Sequence, residues 1–344
     1  MNSYQRVKTV LDGSIPDRIP VNLLNFICAC KGAGYDLSEC FTDGHKLARS
    51  QLLAFNDFGH DMMHLQTGVT SLAQILGCEI EFFKDRCPHV KSRVIKKLTG
   101  YKKLDIPDFT KPGSLVYELI RATCLISEKI KGKAFLRVES DQGPFSLAAI
   151  LTGLDEFLMA LTKPESFYEI NGLIDFCEKV ILEETKKIIS AGADMVSFGD
   201  SFLSCDVCPP GYYKKFGSEH HKLMAGFIRK SGCYSALHNC GNTGPIISEM
   251  ASTGFSAVEI DYKTDMETAK AAASGKTAII GNIDPSNIMY FGTEEDVYNA
   301  ARKAIEILGA NGGFILGPGC DLPYDTPAGN IFALIESAKK YGRY

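Results

Sequence analysis

Eight short apolar, β-rich runs alternate with longer helical patterns in this chain, and that rhythm constrains the fold more than any other feature. The runs are 19–26 (IPVNLLNF), 61–68 (DMMHLQTG), 134–141 (AFLRVESD), 195–201 (MVSFGDS), 234–240 (YSALHNC), 256–261 (SAVEID), 277–284 (TAIIGNID) and 312–320 (GGFILGPGC). A helical pattern follows each, which is the signature of βα units feeding a parallel sheet. Eight units predict one α/β domain over 1–344, folded as a (β/α)8 TIM barrel. A helix at 3–12 makes 1–18 an N-terminal helical extension, and 69–111, with EIEFF and HVKSRVIK, reads as a hairpin segment inserted after the second strand. The competing arrangement is an open doubly wound sheet or two smaller α/β domains. It is disfavoured, because no glycine-rich dinucleotide fingerprint follows a strand and no Pro/Gly/Ser-rich linker divides the chain.

A formal net charge of -4 and a pI near 6.0 leave no basic footprint, so nucleic acid is not the expected partner. Residues 1–20 carry charges throughout, which argues against a secretory signal, and no 18-residue uncharged apolar run suggests a membrane span. The twelve cysteines are irregularly spaced, and the expectation is reduced thiols in a cytoplasm.

In a parallel barrel the C-terminal ends of all strands meet on one face, where active sites are built. Here those ends carry His64, Glu139, Asp141, Asp200, His238, Cys240, Glu259, Asn282, Asp284 and Cys320. His238 and Cys240 are two apart, so on a strand they share a face. With Cys320 at another strand end they offer one imidazole and two thiolates, a donor set suited to Zn2+. For each residue alone, the alternative is an ordinary buried side chain. Glu259 is the candidate fourth ligand, its alternative being a carboxylate paired with a nearby Lys or Arg. Asp200 and Glu139 are candidate catalytic acids, and His64, Asp141, Asn282 and Asp284 are candidate substrate-binding groups. Lys31 and Lys263 are candidate anchors for an anionic substrate by loop position. The pair Cys205 and Cys208 has C-x2-C spacing but no second half to complete a structural metal site. Cys28 and Cys30 read as buried.

HNCG at 238–241, GNIDP at 281–285, ILGPGCDLPYDTPAGNI at 315–331 and GPFSLAAILTG at 143–153 resemble the zinc- and corrinoid-dependent methyltransferases of the uroporphyrinogen decarboxylase superfamily. The resemblance covers most of the chain from about residue 15 onward. It implies a (β/α)8 barrel with zinc on His238, Cys240 and Cys320, and an acidic fourth ligand at Glu259. It also implies a cobalamin carried by a partner corrinoid protein, because no D-x-H-x-x-G corrinoid motif occurs here. The small-molecule partner is then a thiol or tetrahydrofolate-type acceptor, or a methyl ether, methanol or methylamine-type donor as in an O-demethylase. In the first case zinc presents a thiolate; in the second it acts as Lewis acid on oxygen, with Asp200 or Glu139 protonating the leaving group. A uroporphyrinogen-type decarboxylase is the alternative, disfavoured because the matching N-terminal stretch NLLNFICACKGAGYD holds no arginine to grip carboxylates. A non-catalytic zinc-binding barrel is the alternative from another class.

Overall fold

The computed structural model describes residues 1–344. Its main sheet has seven parallel strands, β1 (Met62–Leu65), β4 (Phe135–Gln142), β5 (Met195–Gly199), β6 (Tyr234–Asn239), β7 (Ala257–Ile260), β8 (Ala278–Ile283) and β9 (Phe314–Pro318), in that spatial order. β2 (Glu79–Glu81) and β3 (His89–Ser92) pair antiparallel as a separate hairpin, within the stretch expected to be an insertion. The eighth stave is the expected first strand, in reduced form. Val21 bridges in parallel to Leu316 and Asn22 to Met62, which joins β9 to β1 and closes the cylinder. The expected strand does not continue to 26, because a helix begins at Phe26 and runs to Gly32. Cys28 and Cys30 therefore lie on that helix and not at a strand end. Asp61 fastens the short stave: it accepts from the Val21 backbone N–H at 2.9 Å, from Arg6 at 2.6 Å and from Arg18 at 2.7 Å.

Alternation along the strands sorts side chains into an interior and a helix-facing side. The interior begins with an apolar layer of Met62, Phe135, Met195, Ala236, Ala257, Ala278 and Ile315. Val7 and Val10 of the N-terminal helix Ser3–Leu11 plug it from below. Two residues further along each of these strands stand His64, Arg137, Ser197, His238 and Glu259, with His64 paired to Arg137, Glu139 to Ser197 and His238 to Glu259 across neighbouring strands. The floor is thus dry, and the polar residues stack toward the C-terminal mouth. A far larger apolar cluster fills the space between the sheet and the surrounding helices.

Two carboxyls packed outside the cylinder make stability depend on pH. Glu184, on the helix Phe167–Ser190, is fully buried against the Ser140 hydroxyl, and burial pushes its carboxyl up to about 8. Burial likewise pushes Asp141 up to about 7. Both groups titrate higher folded than in an unfolded chain, where carboxyls titrate near about 4. Their stabilising contribution is complete below that range and is lost as pH rises through about 7 and 8. The melting temperature is expected to fall between about pH 6 and pH 8 and to level off above that, and Glu184→Gln, which mimics the protonated acid, is expected to flatten that fall. A thermal melt series that rises over this interval in the wild type would contradict the assignment.

Candidate metal centre at the barrel mouth

His238 and Cys240 leave the end of β6 on the same side, as their spacing requires, and Cys320 follows β9. The structure brings the three together: their donor atoms all lie within 4.8 Å of one another. His238 Nε2 is 2.9 Å from Cys240 Sγ, and Cys240 Sγ is 3.7 Å from Cys320 Sγ. The two cysteines are free thiols, half-buried, and His238 is buried beneath them. Two sulfurs each about 2.3 Å from a tetrahedral zinc stand about 3.8 Å apart, so the Cys240–Cys320 separation fits such an ion without movement. The corresponding nitrogen–sulfur distance is about 3.6 Å, so the His238–Cys240 pair opens by a fraction of an ångström to admit one.

Electrostatics draw negative charge to Cys240. The contact with Cys320, together with His238 and the Ser201 hydroxyl, 3.3 Å away, holds its thiol well below the usual range. Cys320 is correspondingly pushed well above it, by that same contact and by burial. Burial alone would lower the His238 imidazole, but Cys240 and the neighbouring carboxylates raise it to about 10. A site that concentrates donors on one thiolate in this way also suits a cation of borderline softness. The loop that carries Cys240 is held by Asp261, whose carboxylate accepts from the Gly241 N–H at 2.8 Å. Gly241 has φ +80, and a Cβ there would approach Asp206 Oδ2 to 2.5 Å, so the turn needs glycine.

Glu259 is not in the donor cluster. It is fully buried one strand over, in register with His238. Both of its oxygens are taken by the fork of Arg137, at 2.6 and 2.7 Å. Burial would raise its carboxyl, but the guanidinium holds it at about 2. Its Oε2 stands 3.3 Å from His238 Nδ1, behind the ring and away from the sulfurs. The pairing alternative is the one realised, and the fork belongs to Arg137, itself fully buried and further held by the Ser197 hydroxyl at 2.8 Å.

The other expected residues divide. His64 and Glu139 meet at 3.0 Å just below the mouth, with Arg137 3.6 Å from Glu139. Burial works against the Glu139 charge, but the His64 contact and Arg137 hold its carboxyl below the usual range, so it stands as a carboxylate and not as a ready acid. Asp200 is enclosed: it accepts from the Ser146 N–H at 2.7 Å and contacts His221 Nε2 at 3.0 Å. It thereby caps the helix Pro144–Thr152 from a position that a Cβ at Gly143 would strike at 2.6 Å. Asp141 is turned away from the mouth, because the β4–β5 register shifts between Glu139 and Gln142 and its own φ is 45. Its carboxylate accepts from the Leu72 N–H at 2.6 Å, at the start of the helix Ser71–Ile75. Asp284 is consumed locally, accepting from the backbone of Ser286 and Asn287 at 2.9 Å each. Asn282, at the end of β8, makes a long 3.5 Å contact to the Thr264 carbonyl. Lys31 pairs with Asp325, and Lys263 with Asp206 at 2.8 Å. Cys205 and Cys208 take no part in the cluster, and burial raises both thiols.

Sequence reasoning passed over Arg137 and Ser201. The signal for Arg137 was present: in FLRVESD the charged residues 137, 139 and 141 alternate on a strand otherwise built for a core. Ser201 carried none.

A family model described as uroporphyrinogen decarboxylase (URO-D) matches residues 2–341. The methylcobamide:CoM methyltransferase MtbA of Methanosarcina acetivorans is 29% identical over 305 residues, 88% of this chain and 86% of that one. The methylcobamide:CoM methyltransferase MtaA of Methanosarcina barkeri is 24% identical over 343 residues, covering 98% and 97%. A solved structure of a methyltransferase from Methanosarcina mazei shares the fold, with a TM-score of 0.89 at 22% identity over 99% of both chains.

Proposed function

The chain belongs to the uroporphyrinogen decarboxylase family, and from that premise we propose that it is a corrinoid-dependent methyltransferase. In this reading it moves a methyl group from a corrinoid on a partner protein to a small thiol, with zinc held by His238, Cys240 and Cys320. The observation that carries the reading is the convergence of one imidazole and two sulfurs at the barrel mouth, with the sulfurs 3.7 Å apart. Bound there, zinc would keep an incoming thiol deprotonated at neutral pH and so nucleophilic. The printed activities of the MtbA and MtaA relatives, which join methylcobamide to CoM, support a thiol acceptor.

The protein's own residues supply position and charge. Glu259, 3.3 Å from Nδ1 without a hydrogen bond to it, favours a proton there by its charge, and Nε2 is aimed at the sulfurs. Two thiolates leave the centre electron-rich, which keeps a third sulfur reactive toward a methyl group. The balance is simple: a sulfur–carbon bond forms, the carbon–cobalt bond breaks, and the proton of the acceptor thiol passes to solvent. Demethylation of an ether would instead draw on Asp200 or Glu139 as acid, and the first is enclosed while the second is held ionised. A decarboxylase reading calls for free guanidinium groups at the mouth. No arginine lies between Arg18 and Arg49, Arg18 is bound to Asp61, and the Arg137 fork is occupied. We place the activity in the cytoplasm, since twelve free cysteines suit a reducing compartment.

Zinc-replete protein mixed with methylcobalamin and a panel of thiols that includes coenzyme M is expected to demethylate the corrinoid, read from its absorption spectrum, with a matching thioether. Turnover seen only with cob(I)alamin and methyl ethers would reverse the direction. Stoichiometric zinc without any corrinoid change would leave a binding barrel in place of an enzyme.

A further inference from the structure

Ser201 opens the short turn that follows β5, and its hydroxyl donates to Cys240 Sγ at 3.3 Å. The backbone is pinned on both sides of it. Asp200, the residue before, donates its N–H to the His238 carbonyl at 3.0 Å, and its carboxylate accepts from the Ser146 N–H at 2.7 Å. Phe202, the residue after, donates its N–H to the Ser146 hydroxyl at 3.1 Å. One serine in the first turn of the helix Pro144–Thr152 thus holds both neighbours of Ser201. Asp200 is backed in turn by His221 Nε2 at 3.0 Å, whose Nδ1 meets the Tyr213 hydroxyl at 3.0 Å, and all three side chains are fully buried. Rigid surroundings therefore hold the Ser201 hydroxyl against the end of β6.

The thiolate is the form of cysteine that serves both as metal ligand and as nucleophile. Two protein sulfurs and an acceptor sulfur around one ion therefore compete for the same methyl group. A hydrogen bond to a charged acceptor is among the strong ones, and it lowers the reactivity of the lone pair it engages. We propose that Ser201 is a positioning residue that keeps Cys240 a ligand and not a methyl acceptor, its hydroxyl engaging that sulfur so that the incoming thiol takes the methyl group. This rests on the reading of His238, Cys240 and Cys320 as metal ligands and of a thiol as acceptor.

The competing step balances as the main one does: a bond forms between Cys240 Sγ and the methyl carbon, the carbon–cobalt bond of methylcobalamin breaks, and its electron pair stays on cobalt. No proton moves. To test the inference, wild type and Ser201→Ala, both zinc-loaded, are incubated with methylcobalamin and no thiol, then digested and mapped by mass spectrometry. S-methylation of Cys240 is expected to run about tenfold faster in the variant, the effect of one hydrogen bond to a charged group. Equal rates, or a rise shared equally by Cys320, would overturn the proposal. Cobalt(II) supplies a readout independent of turnover. Wild-type protein loaded with Co2+ is expected to show thiolate-to-cobalt absorption, and Ser201→Ala to show it at longer wavelength, since a sulfur freed of a hydrogen bond gives up charge more easily. Unmoved bands would reduce Ser201 to a structural role. Two controls separate this failure from failure of the underlying reading: wild type without a thiolate-to-cobalt band would defeat the metal site, and wild type that forms no thioether from methylcobalamin and 2-mercaptoethanol would defeat methyl transfer.

Discussion

Cys240→Ala is expected to lose its metal and at least about a thousandfold of its methyl-transfer rate while keeping its fold. Cys240 Sγ is the atom on which the site converges: His238, Cys320 and Ser201 all contact it. Without it, His238 and Cys320 offer only two donors, short of the three a catalytic zinc ordinarily takes from protein. A metal that contributes several kcal/mol to the transition state accounts for about three decades of rate at 1.36 kcal/mol each. The fold is expected to survive because Cys240 is half-buried in the loop after β6 and lies outside the apolar clusters. Elemental analysis beside circular dichroism reads both halves. A folded variant that retains one equivalent of zinc would sink the site.

Arg137→Ala is expected to cost about 3–5 kcal/mol of folding stability, the most of any single substitution considered, because it strands a fully buried carboxylate. Glu259 cannot relieve itself by reaching solvent, and His64 and Glu139 already satisfy one another. Replacing the pair together, as Arg137→Met with Glu259→Leu, is expected to recover most of the loss, since apolar side chains of similar volume carry no desolvation penalty. Denaturant unfolding of the two proteins makes the comparison. A loss below about 1 kcal/mol for Arg137→Ala would mean the pair is solvated, contrary to its burial.

The eight-unit rhythm and the His238–Cys240–Cys320 trio were legible because both follow from strand periodicity. A spacing of two on a strand settles facing, and a strand end in a barrel settles location. What was not legible depended on departures from that periodicity. Asp141 was expected at the mouth from strict alternation, but the register shift after Glu139 turns it toward a helix start. The first stave was expected to run to 26, yet it shortens to two bridged residues because a helix takes over at Phe26. Asp200 stands at a strand end as expected, but its side chain folds back onto the Ser146 N–H, a partner 54 residues away that no local pattern announces. Glu259 was placed on the correct strand. Its partner is 122 residues away, and only the closed cylinder sets the two face to face.

The seam where Val21 meets Leu316 and Asn22 meets Met62 also bears on the expected order of assembly. Of its two bridges, Asn22–Met62 is local, but Val21–Leu316 joins segments roughly 300 residues apart, and such a pair is expected to form late because its loop-closure entropy must be overcome first. β9 is the last strand, and Cys320 lies just beyond it, so the third donor joins His238 and Cys240 only once the cylinder has shut. A cation gripped by all three would bind the shut barrel in preference to any half-zipped intermediate. Mass action would then add about 2.7 kcal/mol to the closed state at a hundredfold excess over Kd. The donor trio is in this sense a clasp between β6 and β9, tightening the molecule at the place that zips last.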